Sequence, residues 1–311
     1  MEKEKQLVFG HKNPDTDTIA SAVAYSYLLN KMGYNTEPVA LGEPNDETKF
    51  VFQSFACPLP RIIDKINGEV KSVILVDHNE PQQSVDDLDT VEVTNVIDHH
   101  RIAGFETKNP LYYRAEPLGC VSTILVKLFA ENAVEIPLNL AGVMLGAIIS
   151  DTLLLKSPTT TDEDINAAKA LAKIADIDYR SFGIEELKAG TNLGAKSDLE
   201  LVRQDAKSFD MNGVKVRVDQ INTVDLNEVF DRQNGLEKAM EEDAKENGYD
   251  LFLVLATDVL ESDSRLLVWG DHKDKVETAF NGKLENNTMN LPGVVSRKKQ
   301  VVPPLENAFK N

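Results

Sequence analysis

Cysteine is nearly absent: Cys57 and Cys120 are the only two in 311 residues, far apart and without CxxC spacing. A disulfide framework and a zinc ribbon are thereby excluded, and both thiols read as small apolar residues. Long hydrophobic runs are missing as well. The best, Leu140 to Ile149, falls short of the roughly 20 apolar residues of a membrane span and contains Gly142 and Gly146. Met1-Glu2-Lys3-Glu4-Lys5 lacks the apolar segment of a signal peptide, so a soluble cytoplasmic protein with no membrane partner is expected. Basic residues are few: 33 Lys and Arg against 51 Asp and Glu leave a net charge of −18. That balance speaks against a nucleic-acid partner, which needs a basic stripe to displace counterions, and by itself indicates only solubility. No internal repeat or low-complexity segment is visible.

Histidine is scarce too, yet four of the five fall in three short segments with one layout. Gln6-Leu7-Val8-Phe9-Gly10 precedes His11, Val73-Ile74-Leu75-Val76 precedes Asp77-His78, and Val93-Thr94-Asn95-Val96-Ile97 precedes Asp98-His99-His100. An apolar run that stops at carboxylates and imidazoles reads as a buried strand delivering ligands at its carboxyl end, where open α/β sheets keep their sites. A fourth stretch, Ala147-Ile148-Ile149-Ser150, ends at Asp151, in an apolar segment from Leu138 to Ser150 that reads as either helix or strand. If these strands are parallel neighbours, four ends converge on one crevice.

After the first strand, Pro14 disfavours helix at Asn13, and Asp17 or Thr18 is a good N-cap for the run Ile19 to Tyr25. His11, Asp15 and Asp17 put three ligand-type groups within seven residues, a spacing that suits a metal, although both aspartates also suit loop and cap roles. A carboxylate placed directly after four apolar residues, as Asp77 is, needs a cation if it is buried. His78 reads more readily as a hydrogen-bonded supporting or surface residue than as a ligand. His99 and His100 face opposite ways unless the strand has ended, leaving one free for metal and its neighbour for substrate. Thr159 to Asp164 is an N-cap cluster for a helix through Ala175.

The length favours about two domains. Residues 1–189 read as an α/β domain with a mainly parallel sheet flanked by helices, 190–196 as a small glycine-flanked linker, and 197–311 as a smaller mixed α/β domain. The last has strand patterns at 214–218, 251–255 and 266–269 and a long amphipathic helix from Leu226 to Asn247. Two basic features stand out against the acidic whole: Lys207, and Ser296-Arg297-Lys298-Lys299-Gln300 held between Val294-Val295 and Val301-Val302.

Aspartate and histidine without thiolates suit Mn²⁺, Mg²⁺ or Co²⁺ better than structural zinc. So many positions exceed what one ion needs, and two ions sharing a carboxylate are the economical reading. Such pairs, about 3.5–4 Å apart, are the usual device for hydrolysing phosphoric esters and anhydrides, with arginine and lysine completing the clamp on the leaving phosphate.

Together, His11-Lys12-Asn13-Pro14-Asp15-Thr16-Asp17, Val76-Asp77-His78-Asn79, Asp98-His99-His100, Ser150-Asp151 and Ser296 to Gln300 resemble the family II, manganese-dependent inorganic pyrophosphatases of the DHH phosphoesterase superfamily, over essentially the whole chain in order. The DHH triplet is shared by several phosphoesterases, whereas its combination with Ser-Arg-Lys-Lys-Gln is specific to the pyrophosphatases. The resemblance implies that His11 and Asp15 hold one metal, that Asp17, His99 and Asp151 hold the other, and that Asp77 bridges them. His100, Lys207, Arg297 and Lys298 would bind the pyrophosphate oxygens, and Asp98 would orient a histidine. It implies two Mn²⁺ per subunit (Co²⁺ or Mg²⁺ being alternatives), a further Mg²⁺ arriving with substrate, and direct attack by a metal-bridging hydroxide without a covalent phosphoenzyme. A homodimer formed through the N-terminal domain and closure of the C-terminal domain are implied too. The segment from Phe55 to Asp77 is too short for the regulatory nucleotide-binding module of some relatives. The competing readings are a DHH exonuclease or small phosphoesterase, whose glycine-rich, histidine-containing motif is not found here, and a metal-dependent binding protein without turnover.

Overall fold

The apolar runs before the histidine segments do form parallel strands. In the computed structural model, which describes residues 4–310, the chain divides into two units, 1–190 and 191–311. In the first, β1 (Gln6–Phe9), β2 (Thr36–Ala40), β3 (Arg61–Ile62), β4 (Ser72–Val76), β5 (Glu92–Asp98) and β6 (Tyr112–Ala115) make a six-stranded sheet in the order β3-β2-β1-β4-β5-β6. All its pairings are parallel. The chain winds outward from β1 to β3, returns beside β1 as β4, and winds outward the other way. This reversal leaves a crevice at the carboxyl ends of β1 and β4. The helices are α1 (Thr16–Lys31), α2 (Asp46–Ser54), α3 (Val121–Glu131), α4 (Leu138–Thr152), α5 (Asp162–Ala175) and α6 (Tyr179–Thr191).

One local alternative is decided and one local expectation is corrected. Of the two readings left open for Leu138 to Ser150, the helix is the one that forms: Ala147 to Ser150 lie in the last turns of α4, so Asp151 reaches the crevice from a helix C-terminus. The helix is buried from Leu140 through Ile149 and therefore shows no polar stripe to reveal its period. Its glycines admit neighbours: a Cβ at Gly142 would stand 2.2 Å from the Phe55 ring, and one at Gly146 2.6 Å from Val51. At α1 the N-cap is Asp15, whose Oδ1 accepts from Thr18 N at 2.9 Å; Asp17 is instead buried within the first turn.

The N-cap cluster expected before α5 is present and takes the form of a capping box, with Thr161 as N-cap and Asp164 reaching back. Asp164 does more than cap. Fully buried, it also accepts from Gly119 N at 2.9 Å and Thr123 Oγ1 at 2.7 Å, pinning the loop that enters α3.

The second unit comprises α7 (Asp198–Arg203), β7 (Lys207–Met211), β8 (Val214–Thr223), α8 (Asn227–Phe230), α9 (Gln233–Asn247), β9 (Leu251–Asp258), β10 (Asp263–Gly270), α10 (Lys273–Phe280), β11 (Thr288–Leu291) and α11 (Val302–Lys310). Its sheet, β11-β10-β9-β8-β7, is mixed, with only β8 and β9 parallel. β9 is buried on both faces: Leu251, Leu253 and Leu255 enter one core, Phe252, Val254 and Ala256 the other. The helix expected over 226–247 is interrupted at Asp231-Arg232. There Arg232 turns back to Asp198 Oδ1 (2.8 Å) and the carbonyls of Leu193 (3.0 Å) and Lys196 (2.7 Å), contacts that a periodicity count does not reveal. Residues 190–196, read above as a linker, close α6 and make a 3-10 turn whose Leu193 is buried in the second unit's core. No described helix is long and apolar enough to cross a membrane.

Asp164→Ala should lower the unfolding free energy by about 3 kcal/mol, because it strands buried donors at Gly119 and Thr123 as well as removing a cap. Urea denaturation of both proteins checks this; a loss below about 1 kcal/mol would mean that the cap alone matters.

Candidate metal centre

Asp77 stands where β4 ends, at a left-handed φ of 59° that an aspartate tolerates better than most residues. It is 1% exposed. Its Oδ2 accepts from Thr18 Oγ1 at 2.6 Å, while its buried Oδ1 has no hydrogen-bond partner. Thr18 can come so close because residue 10 is glycine: a Cβ there would lie 2.4 Å from the Thr18 methyl.

Around this carboxylate the strand ends deliver imidazoles. His11 Nε2 lies 3.5 Å from Asp77 Oδ2 and 3.4 Å from Asp15 Oδ2, and His99 Nε2 lies 3.3 Å from Asp77 Oδ1. In each ring the other nitrogen faces a carbonyl, His11 Nδ1 that of Lys12 at 2.8 Å and His99 Nδ1 that of Leu118 at 2.9 Å. A carbonyl can only accept, so Nδ1 carries a proton and Nε2 is the atom aimed at the centre. β5 ends at Asp98, which frees the two following histidines from strand alternation; their rings are 4.2 Å apart. Asp98 Oδ1 accepts from the backbone N–H groups of His99 and His100 and lies 3.0 Å from His100 Nδ1, while its Oδ2 accepts from Asn79. His78 is buried and stacked on Phe9, with Nδ1 against Val76 O, outside the metal-competent clusters of the described residues.

Asp17 and Asp151 complete the wall. The first turn of α3 holds Asp17 through Val121 N (2.7 Å) and Ser122 N (3.2 Å), so that an α1 carboxylate caps α3, whose own Cys120 cannot. Asp151 Oδ2 is buried without a hydrogen bond. Three groups have donor atoms within 4.8 Å of one another: His11, Asp15 and Asp77; Asp77, His99 and His100; and Asp17, Cys120 and Asp151. A cleft of about 420 Å³ opens over Asp15, Asp77, His99, His100, Asp151 and Thr159.

The charges show what is missing from this arrangement. Burial pulls His11 and His99 down, but the carboxylates opposite outweigh it and raise them to about 11 and about 9. For Asp77, burial is overcome by the same two imidazoles, and its carboxyl is held well below the usual range. Burial and the Asp77 charge raise Asp17; burial and the charges of Asp17, Asp77 and Asp15 raise Asp151 well above an ordinary carboxyl. Crowded acids that depress one another's ionisation, with two buried oxygens unpartnered, form a pocket short of positive charge. Hard oxygens and imidazole nitrogens fit divalent cations of the manganese or magnesium kind. His11, Asp15, Asp17, Asp77, His99 and Asp151 could hold them.

Some contributors were not apparent in the sequence. Thr18 and Gly10 are visible only once β1 and β4 pair. Glu47 accepts from Thr16 Oγ1 at 2.9 Å and from Ser150 Oγ, tying the start of α1 to the end of α4. Glu186 is fully buried with neither carboxyl oxygen partnered; burial, with the Glu47 charge, raises its pKa well above normal. Lys207, Arg297 and Lys298 belong to the second unit. Lys207 opens β7, exposed, and Arg297 and Lys298 begin a π-helical turn, Arg297–Val301. The polar ends of that motif are structural: Ser296 Oγ accepts from Lys299 N at 3.3 Å, and Gln300 Oε1 from Val295 N and Ser296 N at 3.0 and 3.1 Å.

Residues 5–148 match the DHH family, N-terminal domain, and residues 185–308 match the DHHA2 domain. The chain is thus a DHH protein with a DHHA2 domain behind it. It is 60% identical over 309 residues to a Lactobacillus helveticus protein and 62% identical over 305 to one from Lactiplantibacillus plantarum, each named "Probable manganese-dependent inorganic pyrophosphatase". These alignments cover 99% and 98% of this chain and 99% of either relative. A solved Methanococcus jannaschii structure, described as a "putative family II inorganic pyrophosphatase", shares 44% identity at a TM-score of 0.60, over 99% of this chain and all of its own. The chain belongs to the family of manganese-dependent, family II inorganic pyrophosphatases.

Thr18→Val keeps the methyl that meets Gly10 and removes the hydroxyl on Asp77; it should weaken Mn²⁺ binding by on the order of tenfold in calorimetry, and unchanged affinity would show that Asp77 orients itself. Ligation needs neutral imidazoles, so rising pH must favour it: below about 9 His99, and below about 11 His11, each give up a proton to the solvent. Mn²⁺ affinity should therefore rise between pH 7 and 9 by about tenfold per pH unit for each proton displaced, with matching proton release in weakly buffered solution.

Proposed function

We propose that this protein hydrolyses inorganic pyrophosphate to two phosphates in a manganese-dependent reaction. The observation that carries the reading is the convergence of His11, His99, Asp15, Asp17 and Asp151 around a single buried carboxylate, Asp77, in a family whose similar members bear that name. Two cations fit the reading, one at His11 and Asp15 and one at Asp17, His99 and Asp151, with Asp77 shared between them. When bound, they supply a water made acidic enough to attack and neutralise charge on the phosphoryl oxygens.

The chain's own groups do the remainder. Water adds to one phosphorus, the bond from that phosphorus to the bridging oxygen breaks, and the electron pair leaves with the other phosphate. Asp98 sets the His100 ring and, against the opposing effect of burial, raises its pKa, favouring a cationic donor toward a phosphate oxygen. Lys207, Arg297 and Lys298 are assigned the oxygens of the pyrophosphate and the charge that develops on the departing group. A covalent phosphoenzyme is not needed: burial drives the Cys120 thiol well above its ordinary pKa, and the Thr159 hydroxyl at the cleft is bonded to Ser157 and not to a base. The same reading takes 1–189 as the catalytic domain and 197–311 as the substrate-binding domain, joined as a cytoplasmic homodimer through the former.

Chelated protein should release phosphate from pyrophosphate only after Mn²⁺ is restored, and release little from a dinucleotide or a nucleoside monophosphate. Activity confined to the nucleotide substrates would move the protein to the other phosphoesterases of its superfamily. Asp77→Ala should lose metal binding and turnover together, whereas Arg297→Ala should keep Mn²⁺ affinity and lose kcat/KM by about 100-fold or more, the usual scale for a charged transition-state contact.

A further inference from the structure

Arg297 is not a free side chain. Its guanidinium donates from Nη1 to the Asp205 carbonyl and from Nη2 to Asp205 Oδ1 at 3.1 Å, and the side chain is only 12% exposed. Its backbone N–H donates to Gln220 Oε1 at 3.2 Å, and Gln220 Nε2 in turn reaches Thr257 Oγ1 and Val295 O, both at 3.1 Å. Both ends of the arginine are therefore anchored.

The anchor at the guanidinium end is itself fixed from below. Asp205 N donates to Asp219 Oδ1 at 3.1 Å, and Asp219 is fully buried on β8 with its other oxygen unpartnered. Burial raises the Asp219 carboxyl to about 7, against the pull of the Asp205 N–H and the Arg297 charge. Asp205 stands two residues before Lys207, so one short segment bears both that lysine and the partner of the arginine.

A guanidinium has five N–H donors and two edges that can grip an anion. Asp205 takes the end edge, Nη1 with Nη2, and leaves the side edge, Nε with the second Nη2 proton. That free edge has the fork geometry that pairs with two oxygens of one phosphate.

We propose that Asp205 is a positioning residue: it holds Arg297 by one edge so that the other is already directed when a phosphate group arrives. This rests on the assignment of Arg297 to the substrate. The opposite role, in which Asp205 merely competes with substrate for the arginine, predicts the reverse sign. The Asp205 side chain is half exposed, so its charge is screened by solvent and the geometric effect outweighs the electrostatic one.

The full-length protein loaded with Mn²⁺ and assayed on pyrophosphate separates the two. Asp205→Ala removes the Nη2 bond and leaves the one from Nη1 to the backbone carbonyl; it should raise KM by about tenfold with kcat within about threefold, since a guanidinium held at one point must be ordered on binding and loses affinity first. Asp205→Asn, whose amide oxygen can accept the same Nη2 bond, should keep KM within about threefold of the parent. Mn²⁺ affinity and melting temperature should not move in either, which a general loss of structure would not allow. An unchanged or lowered KM in Asp205→Ala overturns the proposal. Calorimetric binding of inorganic phosphate, with and without Asp205→Ala, is the independent arm. A parent without turnover sinks the pyrophosphatase reading alone if its phosphate affinity still falls with Asp205→Ala, and both readings if it does not.

Discussion

A carboxylate that is 1% exposed and carries its full negative charge is among the most costly things a fold can contain, and the first unit is arranged around one. Asp77 is tolerable because two imidazolium rings face it and a threonine hydroxyl donates to it. Those neighbours in turn fix the rest. His11 can reach it only if β1 lies next to β4, His99 only if β5 lies on the other side, and Thr18 only if α1 begins directly above a glycine. The order β1-β4-β5 at the centre of the sheet is thus the order that one buried charge requires.

The acids beyond Asp77 extend the same logic. Asp17 and Asp151 come from two helix ends, and their charges, with that of Asp77, oppose one another's ionisation. Glu47, fastened to Thr16 and Ser150, and Asp164, fastened to Gly119 and Thr123, keep these elements from relaxing apart. A cluster held open against repulsion in this way is preorganised and would not have to collapse around a cation.

Much of this was legible in the sequence because a parallel sheet writes its site at strand ends. Apolar runs stopping at His11, Asp77 and Asp98-His99-His100 name three elements and their convergence together. The element that carries Asp151 stays open between helix and strand in the sequence because α4 is buried along almost its whole length, and an unbroken apolar run has no period from which to tell the two apart. The α1 cap is Asp15 and not Asp17 or Thr18 because all three suit a cap by residue type, and only the bond from Thr18 N decides. The interruption at Asp231-Arg232 and the bonding of Arg297 to Asp205 depend on partners distant in sequence. No local rule reaches them.

The pairing of β1 with β4 also has a consequence for how the protein is made. Leu7 lies opposite Val73 and Phe9 opposite Leu75, so the nascent chain displays His11, Asp15 and Asp17 long before the strand that brings Asp77 has left the ribosome. His99 and Asp151 emerge later still. Until then the early aspartates have no buried partner and face water at no cost. Assembly of this candidate centre is therefore a late event of synthesis, coupled to closure of a long-range contact rather than to any local helix. A polypeptide released early would carry the first three ligand-type residues and yet have no place to hold an ion.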